Sequence, residues 1–232
     1  MNSTVEQKKT NNAVPDKKAK KKYDYFVYDF VKATGFIPTF AFLRTKTICT
    51  GNGKPNKIRG GALISANHLS YIDPVVVHTA FWRRRIHCIA TKEIYAAKAM
   101  NWFFQKMHCI KVDRENFSMS TFHGVKDGLS DERLVLIFPE GQLNHEEGTV
   151  LAFKSGAILM AHQCNKPIIP VYIVKRNKWY ERQKVMVGDP IDVRALCGKM
   201  PTMAQLNAAS EVLRQREVEL MEKYEELYNK KK

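Results

Sequence analysis

Past residue 60 the chain alternates short, uninterrupted apolar runs with stretches of helical period. The runs at 62–65, 86–91, 109–113, 134–138, 168–174 and 185–187 have strand length. They lack the apolar–polar alternation of a half-exposed sheet, which predicts strands buried on both faces. Helical patterns at 74–82, 96–107, 117–129 and 153–163 separate them, and a charged helix at 203–228 follows. Strand–helix alternation predicts an α/β fold, a largely parallel mixed sheet flanked by helices. Ligands of such sheets sit at the carboxyl ends of strands. Polar residues cluster at three such ends, after Ser65, Val112 and Phe138. Loop 51–61 is turn-rich, but its Gly-x-Gly-Lys lacks the spacing of a phosphate-binding loop.

Ahead of the sheet, segment 23–45 carries Phe26, Phe30, Phe36, Ile37, Phe40 and Phe42. Asp24, Asp29, Lys32 and Pro38 interrupt it, whereas a membrane span needs about 20 predominantly apolar residues. It is expected to be an amphipathic helical segment without a transmembrane helix. Its aromatics either lie in a bilayer interface or pack on the core, and pattern alone leaves both open. Residues 1–22 hold seven lysines against Glu6 and Asp16, which predicts a disordered basic tail. The organisation is therefore a tail at 1–22, an aromatic segment at 23–45 and one domain at 46–232.

Charge narrows the partners. Lysine and arginine number 38 against 23 acids, a formal net of +15. Nucleic acid, an anionic membrane surface and an acidic carrier protein all suit that balance. No helix-turn-helix, zinc finger or strand-borne aromatic RNA-binding motif is present, so no nucleic acid is expected as partner. The five cysteines are scattered without a Cys-x-x-Cys pair, which fits a reducing, cytoplasmic compartment. His87-Cys88 and His108-Cys109 offer metal-ligand types. In strands, however, neighbouring side chains point to opposite faces, so core packing is expected and no metal.

The strongest chemical signal is Asn67-His68-Leu69-Ser70-Tyr71-Ile72-Asp73-Pro74. A histidine directly follows a buried strand, and five residues later an aspartate precedes a helix-opening proline. Imidazole suits proton removal near neutral pH. A carboxylate on the far ring nitrogen fixes the tautomer and stabilises the imidazolium. Asp73 as a plain helix cap and His68 as a loop residue is the competing reading of this pattern alone.

With three further blocks in order, this motif resembles the glycerolipid acyltransferase family, best known through the 1-acyl-glycerol-3-phosphate acyltransferases. The blocks are Ile110-Lys111-Val112-Asp113-Arg114, Phe138-Pro139-Glu140-Gly141 and Ile169-Pro170-Val171. The resemblance implies that fold and a transfer of a fatty acyl group from acyl-CoA or acyl carrier protein to the hydroxyl of lysophosphatidic acid. The product is phosphatidic acid, in phospholipid synthesis. It implies His68 as general base oriented by Asp73, with Asn67, Lys111, Arg114, Glu140, Gly141 and Pro170 at the substrate. No cofactor is implied beyond the acyl donor.

One departure stands out. After Glu-Gly the family has Thr-Arg-Ser, and here stand Gln142-Leu143-Asn144. Lys154, Arg176 or Lys178 are candidates for the missing phosphate-gripping charge, and another lysolipid or hydroxyl acceptor is the alternative. The expected location is peripheral, on the cytoplasmic side of a membrane. The non-enzymatic alternative is a basic peripheral membrane or nucleic-acid-binding protein.

Overall fold

The computed structural model describes residues 24–51, 54–113, 119–146 and 148–229. The tail at 1–22 and Arg114 lie outside the described residues.

Among the described residues seven strands form one sheet: β1 Lys46–Cys49, β2 Ala62–Ala66, β3 Ile86–Thr91, β4 Ile110–Val112, β5 Leu134–Ile137, β6 Ile168–Ile173 and β7 Lys184–Val187. Their spatial order is β1-β7-β6-β2-β5-β3-β4. All neighbouring pairs are parallel except β6 with β7. The helices are α1 Phe26–Leu43, α2 Asp73–Ala80, α3 Lys98–Lys106, α4 Met119–Ser130, α5 Gly156–Cys164, α6 Val193–Cys197 and α7 Met203–Asn229. The largely parallel α/β sheet expected from the apolar runs is what forms. Strand β1 and helix α6 are additions: Lys46–Cys49 is too short and too exposed to announce itself. Helix α6 is five residues capped by Asp192, whose side chain accepts from Arg194 N.

Strand β2 shows how one run serves two cores. Ala62, Ile64 and Ala66 face a layer that includes Val76, Val77 and Ala80 of α2. Leu63 faces the opposite layer, with Leu129 of α4, Ile158 of α5 and Leu213 of α7. Every residue of β2 is buried, as a central parallel strand requires.

Pro170, expected at the substrate, lies within β6, a central strand between β7 and β2. Gly188 N donates to Pro170 O at 2.9 Å just where β7 ends, so the absent proline N–H is lost at the strand's last rung. Its ring packs so closely on Gly188 that a Cβ there would meet it at 2.8 Å.

In α1, Tyr28 and Leu43 are buried, while Phe26, Phe30, Ile37, Phe40 and Phe42 are exposed. Among the described residues no single helix is long and apolar enough to cross a membrane. The halves Phe26–Gly35 and Ile37–Leu43, bent by 43°, reach that length and composition only together.

Candidate active site

Strand β2 lies between β6 and β5, so the carboxyl ends of these three parallel strands adjoin. His68 follows β2, Phe138 to Gly141 follow β5, and β6 ends at Ile173. Asn67 ties two of these ends together. Its Nδ2 donates to Ile173 O at 3.1 Å and its Oδ1 accepts from Ile173 N at 2.7 Å. Asn67 is wholly buried, and both amide groups are spent on backbone. Asn67, expected at the substrate, therefore joins the ends of β2 and β6.

The turn from His68 to Asp73 closes on one oxygen. Asp73 Oδ2 accepts from Leu69 N at 2.6 Å and Ser70 N at 2.7 Å, and lies 2.9 Å from His68 Nδ1. Asp73 is the first residue of α2, and its side chain turns back onto the preceding loop rather than capping its own helix. Its burial makes that oxygen an effective partner for imidazole. With Nδ1 engaged, Nε2 carries the free lone pair and has no hydrogen-bond partner among the described residues. His68 is further held by Phe138, whose ring stacks on it at 4.1 Å and 16°. Asn144 N donates to His68 O at 2.6 Å. The side chain of Asn144 in turn bonds Thr149 O and accepts from Glu146 N. Phe138 and Asn144 are site residues that the sequence did not reveal as such, because a stacking ring and a backbone donor have no residue-type signature.

Glu140 is 5% exposed, and neither carboxyl oxygen has a hydrogen-bond partner among the described residues. Burial pushes its pKa up to about 7. The amides of His68 and Leu151 favour the charged form, short of hydrogen-bond geometry, and the charge of Asp73 opposes it. Glu140 is thus a buried carboxyl, raised in pKa, close to the backbone of the His68 turn. Gly141 has φ +71°, and a Cβ there would meet Lys154 Cε at 3.2 Å and Nζ at 3.3 Å. Its left-handed backbone conformation is what favours glycine there. Lys154 thereby brings an exposed ammonium to the turn where the sequence lacks the expected arginine.

Lys111 does not join this group. It lies exposed on β4, the edge strand separated from β5 by β3, with its ammonium 5.6 Å from the Tyr95 ring centre. Arg176 bonds Phe42 O and lies over that ring, at the end of α1. A cleft of about 570 Å³ lined by Arg59, Arg84 and Arg133 opens at the amino ends of the strands, away from His68. Arg84 spends its guanidinium there on the carbonyls of Ile58, Gly60 and Glu132. Among the described residues no three metal-ligand side chains gather. His87 instead lies 3.0 Å from the Tyr25 hydroxyl in the core.

Comparison with known proteins places the chain in a family and a fold. A 1-acyl-sn-glycerol-3-phosphate acyltransferase of Bacillus subtilis is 28% identical over 172 residues, which are 72% of this chain and 84% of that protein. One of Limnanthes douglasii is 30% identical over 62% of this chain, and this chain spans about half of it, 54%. The crystal structure of the 1-acyl-sn-glycerophosphate acyltransferase PlsC from Thermotoga maritima superposes with a TM-score of 0.58 at 20% identity, over 84% of this chain and 80% of that one, and so shares its fold. The Acyltransferase family model matches residues 47–174, more than half of the chain and all of the site just described. This chain belongs to the acyltransferase family.

Proposed function

We propose that this chain transfers a fatty acyl group from the thioester of acyl-CoA or acyl carrier protein to the free hydroxyl of 1-acyl-glycerol-3-phosphate, giving phosphatidic acid. The observation that carries this reading is the His68–Asp73 pair, with Nδ1 on the carboxylate and Nε2 unpartnered at the strand ends. His68 Nε2 takes the hydroxyl proton as the oxygen attacks the thioester carbonyl. The tetrahedral intermediate collapses, the carbon–sulfur bond breaks, and the imidazolium returns its proton to the departing thiolate. Asp73 stabilises the imidazolium that forms, its own Oδ2 held in place by the amides of Leu69 and Ser70.

Lys154, over Gly141, is the cation that this reading gives to the acceptor phosphate, with Arg114 as the second. A second reading, another lysolipid as acceptor, is favoured by Leu143 standing where the family has arginine. Attachment to an anionic bilayer through the exposed aromatics of α1 and the basic tail supplies the lipid substrate. The test is mass spectrometry of products after purified protein is offered a panel of lysolipids with acyl-CoA or acyl carrier protein. Phosphatidic acid as the dominant product supports the first reading. Acylation of a different lysolipid alone supports the second, and no acylated product from any pair refutes both.

A further inference from the structure

Helix α7 lies beyond the stretch matched to the family, yet it reaches the strand that bears the catalytic turn. Its inward stripe is Leu206, Ser210, Leu213, Glu217 and Leu220, at the spacing of one helical face. An acid in such a stripe is out of place unless it is bonded. Glu217 is wholly buried, and its Oε1 accepts from Ser65 Oγ at 2.6 Å. Its Oε2 has no partner among the described residues. Ser65 is itself wholly buried and sits three residues before His68. It faces the α7 side of β2, where its hydroxyl meets Glu217.

We propose that Glu217 is a positioning residue for the acyl-transfer site, gripping the end of β2 through Ser65 so that the His68 turn is held in register with the Glu140 turn. Two clamps then act on one strand end: Ser65 to α7 and Asn67 to β6. Together they fix the strand from which His68 projects, so an error of alignment there would carry directly to Nε2. The grip works with an uncharged acid. Burial pushes the Glu217 pKa well above the carboxylate range, with the charge of Glu140 adding to it and the Ser65 hydroxyl opposing. Neutral Glu217 costs far less to bury than a carboxylate holding one bond.

The inference rests on the acyl-transfer reading, and its test uses the full chain with lysophosphatidic acid and acyl-CoA. Glu217→Leu fills the same space without an acceptor, and Ser65→Ala deletes a single oxygen, so at least the second keeps the fold. Each is expected to lower kcat by about tenfold, with both KM values within about twofold, as befits lost alignment rather than lost binding. Combining them should cost no more than either alone, because one bond is broken in each. Glu217→Gln keeps a neutral acceptor for Ser65 and should stay within about threefold of wild type with an unchanged pH profile. Wild-type kcat in Ser65→Ala would overturn the proposal even if Tm falls, since the bond would then hold only helix to sheet. Glu217→Gln as impaired as Glu217→Leu would overturn it too, because an ionised group would be needed. A wild type without turnover fails the acyl-transfer reading and this inference together, whereas an active wild type beside unimpaired variants fails this inference alone.

Discussion

The imidazole of His68 lies flat on the ring of Phe138, 4.1 Å between centres, while its Nδ1 meets Asp73 at 2.9 Å. One contact sets the plane of the ring and the other its rotation and tautomer, so Nε2 is aimed by two turns from two neighbouring strands. Removing the stacked face should loosen the aim without touching the chemistry. Phe138→Ala is expected to lower kcat by about tenfold, consistent with stacking worth about 0.5–1.5 kcal/mol. Steady-state kinetics with the acyl donor saturating check this.

Asn67 gives the opposite signature. Its buried amide satisfies both the N–H and the C=O of Ile173. Asn67→Ala should therefore destabilise the fold by about 2–3 kcal/mol, the cost of buried backbone groups left unpaired. Urea unfolding measures this. A rise in acceptor KM with unchanged stability would show that the residue binds substrate after all.

The Glu140 carboxyl makes stability depend on pH in a stated direction. Its folded pKa of about 7 lies above the ordinary 4.5, so between these values the folded chain keeps a proton that the unfolded chain releases. Its contribution is full below the lower value and is lost as pH rises through the upper, at most about 1.4 kcal/mol per pH unit. Burial pushes His87 the other way, down to about 3. That imidazole favours the fold above about 6.5 and costs stability as pH falls below it. Glu140→Gln should gain on wild type as pH rises from 4.5 to 7, and His87→Gln should gain as pH falls from 6.5. Denaturation at pH 5 and pH 7.5 reads both slopes.

Membrane attachment separates into two forces. Phe26, Phe30 and Phe40 are half exposed or more on α1. Changing all three to serine should weaken binding to anionic vesicles at any salt concentration, by tenfold or more, since burying one phenylalanine contributes about 1.5–3 kcal/mol. Deleting residues 1–22 should weaken it at low salt only, because each basic residue contributes about 1 kcal/mol and is screened. Turnover in detergent should change little in either. Sedimentation with vesicles distinguishes the two, and equal binding by all forms would refute the attachment.

Much of the fold was legible because buried parallel strands leave unbroken apolar runs. Ile86–Thr91 is read with its observed limits, and β2, β5 and β6 to within a residue at their ends. The His68–Asp73 pair was legible because its spacing and the following proline imply a turn into a helix. What sequence could not give is adjacency. Strand order sets Lys111 at the sheet edge and Pro170 in mid-sheet, although both lie in motifs. Asn67 reads as a polar site residue until the sheet shows Ile173 opposite it. Glu217, 149 positions beyond His68 in the chain, has meaning only through the helix packing that brings it to Ser65.

The central claim is that His68 draws the proton from the acceptor hydroxyl. It is tested most directly by thiol release from acyl-CoA, followed with and without lysophosphatidic acid, in wild type and His68→Ala. Release in wild type should require the lysolipid, and His68→Ala should lose about 10³-fold or more in kcat while keeping the wild-type unfolding midpoint. Lysolipid-dependent release by a folded His68→Ala at near wild-type rate would contradict the account.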